Sequence, residues 1–247
     1  MTDLNNCFKS SDIRTTVAEA IEHFSLSLQC VSRIEKVPLC DALGRILATD
    51  LKAHHNIPPH DNSAVDGYAV YYSDLKKGSE TLLPITGRVA AGHPLGRPSK
   101  RGEAVEIFTG AQIPSGISNN GPDTIFMIED IIIDGHNVIL PDGINQYANY
   151  RKMGEDVKSG DVILRPGHKI RPQDVSMAAS LGYSQLEVYC RIKVGVFSTG
   201  DEIQDVGEPL KSGCIYDANR YSLLSMLESA GCAVTDMGIF PDIQIDI

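Results

Sequence analysis

Hydrophobic residues keep three different spacings along this chain. After Thr16, the residues Val17, Ala20, Ile21 and Phe24 recur at helical spacing. Thr16 and Glu19 stand three apart, the separation of a capping box, in which the two side chains satisfy the first backbone N–H groups of a helix. A second short helix is expected around Cys40 to Ala48, weakened by Gly44. From about Asp50 short apolar runs alternate with Pro and Gly. Tyr68, Val70 and Tyr72 alternate as in a half-buried strand, and Ala104 to Phe108 reads as another. Between Ile131 and Leu140, Asp134-Gly135 separates two branched runs, a hairpin signal. Residues 53–148 therefore read as a mostly β unit. A helix returns from Arg171 to Leu181, with Pro172 in its first turn and Gly182 just past its end. Helical segments on both sides make the β unit an insertion.

The third spacing begins at Lys193. Lys193 to Ser198 is a continuous run, as in a strand buried on both faces. Asn219 to Ala230 reads as a helix, with Asn219 as cap, Leu223, Leu227 and Ala230 on one face, and Gly231 as its stop. Cys232 to Phe240 reads as a second strand, completing one β-α-β unit of a parallel sheet. Two strands and one helix cannot cover both faces of such a sheet. The last domain is therefore expected to be incomplete: a fragment, or one that another chain completes. The expected fold is α/β and β, multidomain. An N-terminal region, 1–189, carries the β insertion at about 53–148. The beginning of a doubly wound parallel α/β domain follows at 190–247.

Composition narrows the function classes. The 247 residues are 42% hydrophobic and 22% charged, enough apolar material for two globular domains. A net charge of -10 argues against a nucleic-acid partner, which needs a basic face. The six cysteines form no C-x-x-C pair and read as free thiols in a reducing compartment. The start, MTDLNNCFKSSD, has no basic segment followed by an apolar run, so no signal peptide is expected. The most apolar tract, TIFMIEDIII, is broken by Glu129 and Asp130 and is too short to span a bilayer. A soluble, cytoplasmic protein without a membrane partner is expected.

Four segments carry candidate chemistry. DNSAVDGY (61–68) sets two carboxylates five residues apart. Aligned on a calcium loop from Asn62, it puts Ala64 and Ser73 where acidic ligands are needed, so it is not an EF-hand. A polar turn remains a sufficient reading, with Gly67 at positive φ. GVFSTGDE (195–202) has the glycine frame of a phosphate loop but continues with Asp201 and Glu202 in place of Lys and Ser/Thr. Acids at the carboxyl end of a parallel strand suit magnesium better than phosphate, and a solvated acidic loop is the alternative. Thr109-Gly110 follows a strand and can bring an amide and a hydroxyl close to a ligand oxygen, or simply turn the chain. Arg151 and Lys152 precede Gly154-Glu155-Asp156, a charge cluster that can hold phosphate and metal or lie solvated. His54, His55 and His60 lack a metal-ligand spacing.

Six segments in order resemble one family: ALGRILATD (42–50), DNSAVDGYAV (61–70), IFTGAQIPSG (107–116), GEDVKSGDVI (154–163), FSTGDEI (197–203) and IYDANR (215–220). The family is molybdopterin molybdenumtransferase, which includes the bacterial molybdenum-insertion enzyme and the C-terminal part of gephyrin. The resemblance implies cleavage of adenylylated molybdopterin, insertion of molybdate at its dithiolene and release of AMP. It also implies magnesium, a homodimer and a molybdopterin adenylyltransferase partner. On that basis Asp61, Thr109 and Asp156 are the expected catalytic residues. Arg151, Ser198, Thr199 and Gly200 are expected to bind substrate, and Glu202 and Asp242 to face the metal. A non-catalytic molybdopterin-binding or scaffold module and a magnesium-dependent phosphoesterase are the alternatives. Val65 stands where the family commonly has methionine, Met153 where a third basic residue often sits, and Ile117 to Pro122 reads as a small insertion. The family continues beyond the second strand into a glycine-rich stretch that this chain lacks.

Overall fold

The computed structural model describes residues 15–117 and 120–242. Down the chain run α1 (Val17–Ser27), β1 (Ile34–Pro38), β2 (Leu51–Lys52), β3 (Asn62–Ser63), β4 (Gly67–Val70), β5 (Thr81–Val89) and β6 (Ala104–Ile107). Then come β7 (Thr124–Met127), β8 (Ile132–Asp134), β9 (Asn137–Leu140), β10 (Tyr150–Arg151), β11 (Val162–Leu164) and α2 (Pro172–Ser180). The last elements are β12 (Gln185–Tyr189), β13 (Lys193–Thr199), β14 (Ile203–Gln204), β15 (Ile215–Tyr216), α3 (Ala218–Ser229) and β16 (Ala233–Phe240). Two compact units divide the chain. One is continuous, Thr49–Ser184. The other takes the described chain up to Ala48 and from Gln185 onward. The continuous unit extends past the 53–148 of the sequence reading, taking in α2 and the pair β2–β11.

A six-stranded mixed sheet organises the continuous unit, in the order β7-β4-β6-β5-β9-β8. Only β5 and β6 run parallel; the other neighbours are antiparallel. Every residue of β4 is buried. Tyr68 and Val70 pack with Leu83, Phe126 and Leu140 on one face, and Ala69 packs with Val89, Val105 and Ile107 on the other. β4 is thus not the half-buried strand that its alternation predicts. Both of its faces are covered by residues distant in sequence, each such side chain contributing roughly 1.5–3 kcal/mol on burial.

Gly67 opens β4, and it is not among the glycines at positive φ. Its reason is proximity: a Cβ there would lie 1.7 Å from the Phe126 carbonyl oxygen. The hairpin β8–β9 forms as expected, with Asp134 paired to Asn137. Its two-residue loop is therefore Gly135-His136, with Gly135 at φ +59°. In α2, Pro172 takes the first turn, and Asp174 accepts from the Arg171 backbone N–H at 2.8 Å. The Arg171 side chain, with His168, holds the buried Asp174 carboxyl well below the usual carboxylate range. Gly182 at φ +82° follows the helix end.

In the other unit β1 pairs antiparallel with β12. No α-helix forms at Cys40 to Ala48. A single 3-10 turn covers Leu39–Asp41, Gly44 turns at φ +73°, and Leu47 then bridges to Val188. Pairing with β12 wins over the weak helical pattern. α1 has its capping box, with Thr16 Oγ1 accepting from the Glu19 N–H at 3.2 Å. Val17, Ile21 and Phe24 share a face that is exposed. β13 and β16 pair in parallel, with α3 between them in sequence, as predicted. The cap of α3 is Asp217, whose Oδ1 accepts from the Arg220 N–H at 3.1 Å, and not Asn219. Of β13 only Val196 is buried, because one strand and one helix cannot cover two faces. Cys7 lies outside the described residues; the other five cysteines are free thiols. No helix of the described residues is long and apolar enough to cross a membrane.

Gly67→Ala should lower unfolding stability by roughly 3 kcal/mol or more, since the clash is with backbone and cannot be relieved by a rotamer. Denaturant titration measures it, and an unchanged midpoint would contradict the close β4–β7 approach.

Candidate functional site

The stretch from Asp61 to Asp66 is pinned on two sides. Ile113 N–H donates to the Asp61 carbonyl at 2.9 Å, and Gly110 N–H to the Ser63 carbonyl at 2.8 Å. On the opposite side β3 pairs with β10, and Ala64 N–H donates to the Asn149 carbonyl at 2.9 Å. The two carboxylates therefore stand at opposite ends of a short three-stranded ribbon.

Asp61 has both oxygens engaged. Oδ1 accepts from the Met153 N–H at 2.7 Å, and Oδ2 accepts from the Tyr150 hydroxyl. Burial, and then the Asp61 carboxylate, push the Tyr150 phenol well above its ordinary range. Asp61 and Tyr150 line a cavity of about 1170 Å³ together with Tyr71, Arg97, Lys100 and Asp123. Arg97 is neutralised across a 2.9 Å contact by Glu103. Tyr71 and Ser99 are joined at 2.9 Å on the buried floor.

Asp66 is placed differently. It is exposed, directly before β4, and one of its oxygens accepts from Thr109 twice: from the N–H at 2.8 Å and from the hydroxyl at 2.7 Å. The Thr109 N–H, and next its hydroxyl, hold the Asp66 carboxyl below its usual value. The second oxygen of Asp66 has no hydrogen-bond partner among the described residues. Thr109, expected beside Asp61, is thus the partner of Asp66. From the sequence, Asp66 is expected to fix its loop through backbone bonds; it does accept from the Thr109 backbone N–H, and the Thr109 hydroxyl is the partner the sequence does not reveal.

Between these acids in sequence, Asn62 Oδ1 is buried without a hydrogen-bond partner among the described residues. Such an atom costs roughly 1–3 kcal/mol. Arg151 bonds Glu155 through Nε and Asp156 through Nη2, the latter at 2.7 Å. Its positive charge is balanced twice over, so Asp156 holds Arg151 and neither stands free.

In the other unit, Ser198 and Thr199 end β13. Gly200 follows at φ +139°, and a Cβ there would lie 2.6 Å from Glu202 Oε2. The glycine lets the Glu202 carboxylate fold over the strand end. Asp242 is exposed, two residues past β16, and its N–H reaches Asp201 Oδ1 at 3.5 Å. Among the described residues no group of three or more His, Cys, Asp or Glu side chains gathers as a metal site. Glu202 and Asp242 have no third such ligand beside them among the described residues.

A mixed β unit holding a polar cavity and an exposed acid–threonine pair interrupts a unit that ends in a parallel β-α-β, a multidomain fold. The model of the MoeA N-terminal region (domain I and II) matches residues 15–182, and the chain belongs to that family. The molybdopterin molybdenumtransferase of Haemophilus influenzae is 41% identical over 212 residues, 85% of this chain and 51% of its own length. That of Synechococcus elongatus is 34% identical over 216 residues, 85% of this chain and 52% of its own. A crystal structure of the molybdopterin biosynthesis MoeA protein from Pyrococcus horikoshii superimposes with a TM-score of 0.83 at 32% identity. It covers 93% of this chain and 61% of that one. The chain spans about half the length of the curated relatives it matches.

The two acids differ in what their loss should do. Asp61→Asn should cost about 1–2 kcal/mol, because charge-assisted bonds to Tyr150 and Met153 weaken. Asp66→Asn should leave the melting temperature near that of the parent. The Asp66 carboxyl is depressed in the folded state, so its small contribution is present above the unfolded value and is lost as the pH falls through the folded one. Melting curves at pH 7 that rank the variants the other way would contradict this assignment.

Proposed function

We propose that this chain acts in molybdenum cofactor synthesis, in the step that cleaves adenylylated molybdopterin, releases AMP and inserts molybdate at the dithiolene. Its membership of the family supports this, and the Asp66–Thr109 contact is the observation that carries the site. An exposed carboxylate held ionised, with one oxygen fixed and the other open, is pre-organised to orient a substrate donor. The Thr109 hydroxyl is fixed by the same contact. Asp61 then serves as a wall of the cavity, oriented by Tyr150, and Asp156 sets the direction of Arg151. The substrate-binding roles of Arg151, Ser198, Thr199 and Gly200 belong to the proposal, as do the metal-facing roles of Glu202 and Asp242. So do a cytoplasmic homodimer and an adenylyltransferase that delivers the substrate. Five free thiols suit a reducing compartment.

The unpaired Asn62 oxygen supports the same reading. Departures from full polar satisfaction gather at working sites, and this one lies between Asp61 and Asp66.

The test is AMP release from adenylylated molybdopterin with molybdate and magnesium, using the protein as it is made in the cell. Asp66→Asn and Thr109→Val should each lower turnover on the order of 10²-fold, the scale of lost orientation. Thr109→Ser, which keeps both donors, should retain most of it. Full turnover by Asp66→Asn would remove Asp66 from the site. Tight molybdopterin binding with no turnover by the parent protein would favour a binding module instead.

A further inference from the structure

Arg220 is charged yet only 2% exposed. Its guanidinium reaches carboxylates from three separate segments. Nε donates to Asp217, the cap of α3, at 2.8 Å. Nη1 donates to Asp236 in β16, and Nη2 donates to Asp205 in the long loop after β13, at 2.8 Å. Burial disfavours the Asp217 carboxylate, and the Arg220 contacts outweigh it, leaving that group below its usual range.

Two of these contacts lie beside the acids of the strand ends. Asp205 is three residues after Glu202 and shares its loop. That loop runs from Gly200 to Ile215 and is held besides by the short pair β14–β15, by the Tyr221 hydroxyl of α3 donating to Asp205 Oδ1 at 2.9 Å, by the Lys211 N–H on Gln204 Oε1, and by the Gln204 and Tyr216 side chains bonded to the Glu208 and Pro209 carbonyls. Asp236 sits where the β13–β16 register slips, between Val196 and Phe197. Its Oδ1 accepts from the Gly238 N–H at 2.9 Å, and Gly238 turns at φ +81°. The slip sets how Ile239 and Phe240 align with Ser198 and Thr199, and so where Asp242 follows.

We propose that Arg220 is a positioning residue: through Asp205 and Asp236 it fixes where Glu202 and Asp242 stand at the carboxyl ends of β13 and β16. The proposal rests on the reading that this end handles substrate. A planar five-donor fork suits the task, since it bonds three carboxylates in fixed directions. Lysine offers one point charge and cannot hold all three.

Asp205→Asn takes away the charge that tethers the loop to Arg220 and Tyr221, while leaving Asp217 and Asp236 on Arg220. It should raise amide hydrogen exchange across 200–216 roughly tenfold, with exchange in α3 unchanged. In the AMP-release assay kcat should fall on the order of tenfold with KM within about twofold, the pattern of lost transition-state placement. Arg220→Lys should show the same pattern more strongly, and Arg220→Met more strongly still. Unchanged exchange in 200–216 on Asp205→Asn would overturn the proposal. So would a loss of protection spread evenly over α3, β13 and β16 in that variant, since that is general destabilisation. If the parent protein releases no AMP, the functional reading fails, and the exchange measurement still decides the positioning.

Discussion

Gly67 has no side chain, and so β4 can lie directly against the Phe126 backbone, where a Cβ would meet the carbonyl oxygen at 1.7 Å. That close approach locks the register of β4 between its neighbours. Gly67 faces Met127 on one side and Ile107 on the other. Asp66, one residue earlier, is thereby carried to the level of Thr109, just past the end of β6. A slip of one residue would turn Tyr68 and Val70 out of the core and separate the acid from its partner. The apolar faces of the sheet supply the energy, and the site inherits its geometry from them.

The α/β part works on a different basis. Its strands bury little, and α3 buries only Arg220. One guanidinium among three carboxylates joins the α3 cap, β16 and the long loop, with the Tyr221 hydroxyl on Asp205 and the Asp217 N–H on the Gln204 carbonyl beside it. Such an arrangement adds little net stability, because desolvation offsets much of the attraction, but it fixes directions. Apolar packing positions the Asp66–Thr109 pair, and a charge network positions Glu202 and Asp242.

Local signals were legible in the sequence. The capping box at Thr16, the stop at Gly182 and the hairpin at Gly135 all depend on neighbours within a few residues. The failures share the opposite property. β4 is covered by Val138 and Leu140, about 70 residues on, which its own alternation does not encode. The region Cys40 to Ala48 forms no helix because Leu47 pairs with Val188. At the site, the family motif brought out Asp61 and Thr109, but the contact between Thr109 and Asp66 spans 43 residues. Arg220 lay inside a motif and went unassigned, since its partners Asp205 and Asp236 are 15 and 16 residues away.

The central claim is that Asp66 and Thr109 act as one unit. A double-mutant cycle on AMP release tests it most directly, with Asp66→Asn, Thr109→Val and the pair combined. The account predicts that the double variant is no slower than the slower single one, within about twofold, because either change already removes the charged carboxylate–hydroxyl bond. Losses that multiply in the double variant would mean that the two residues act separately, and would contradict it.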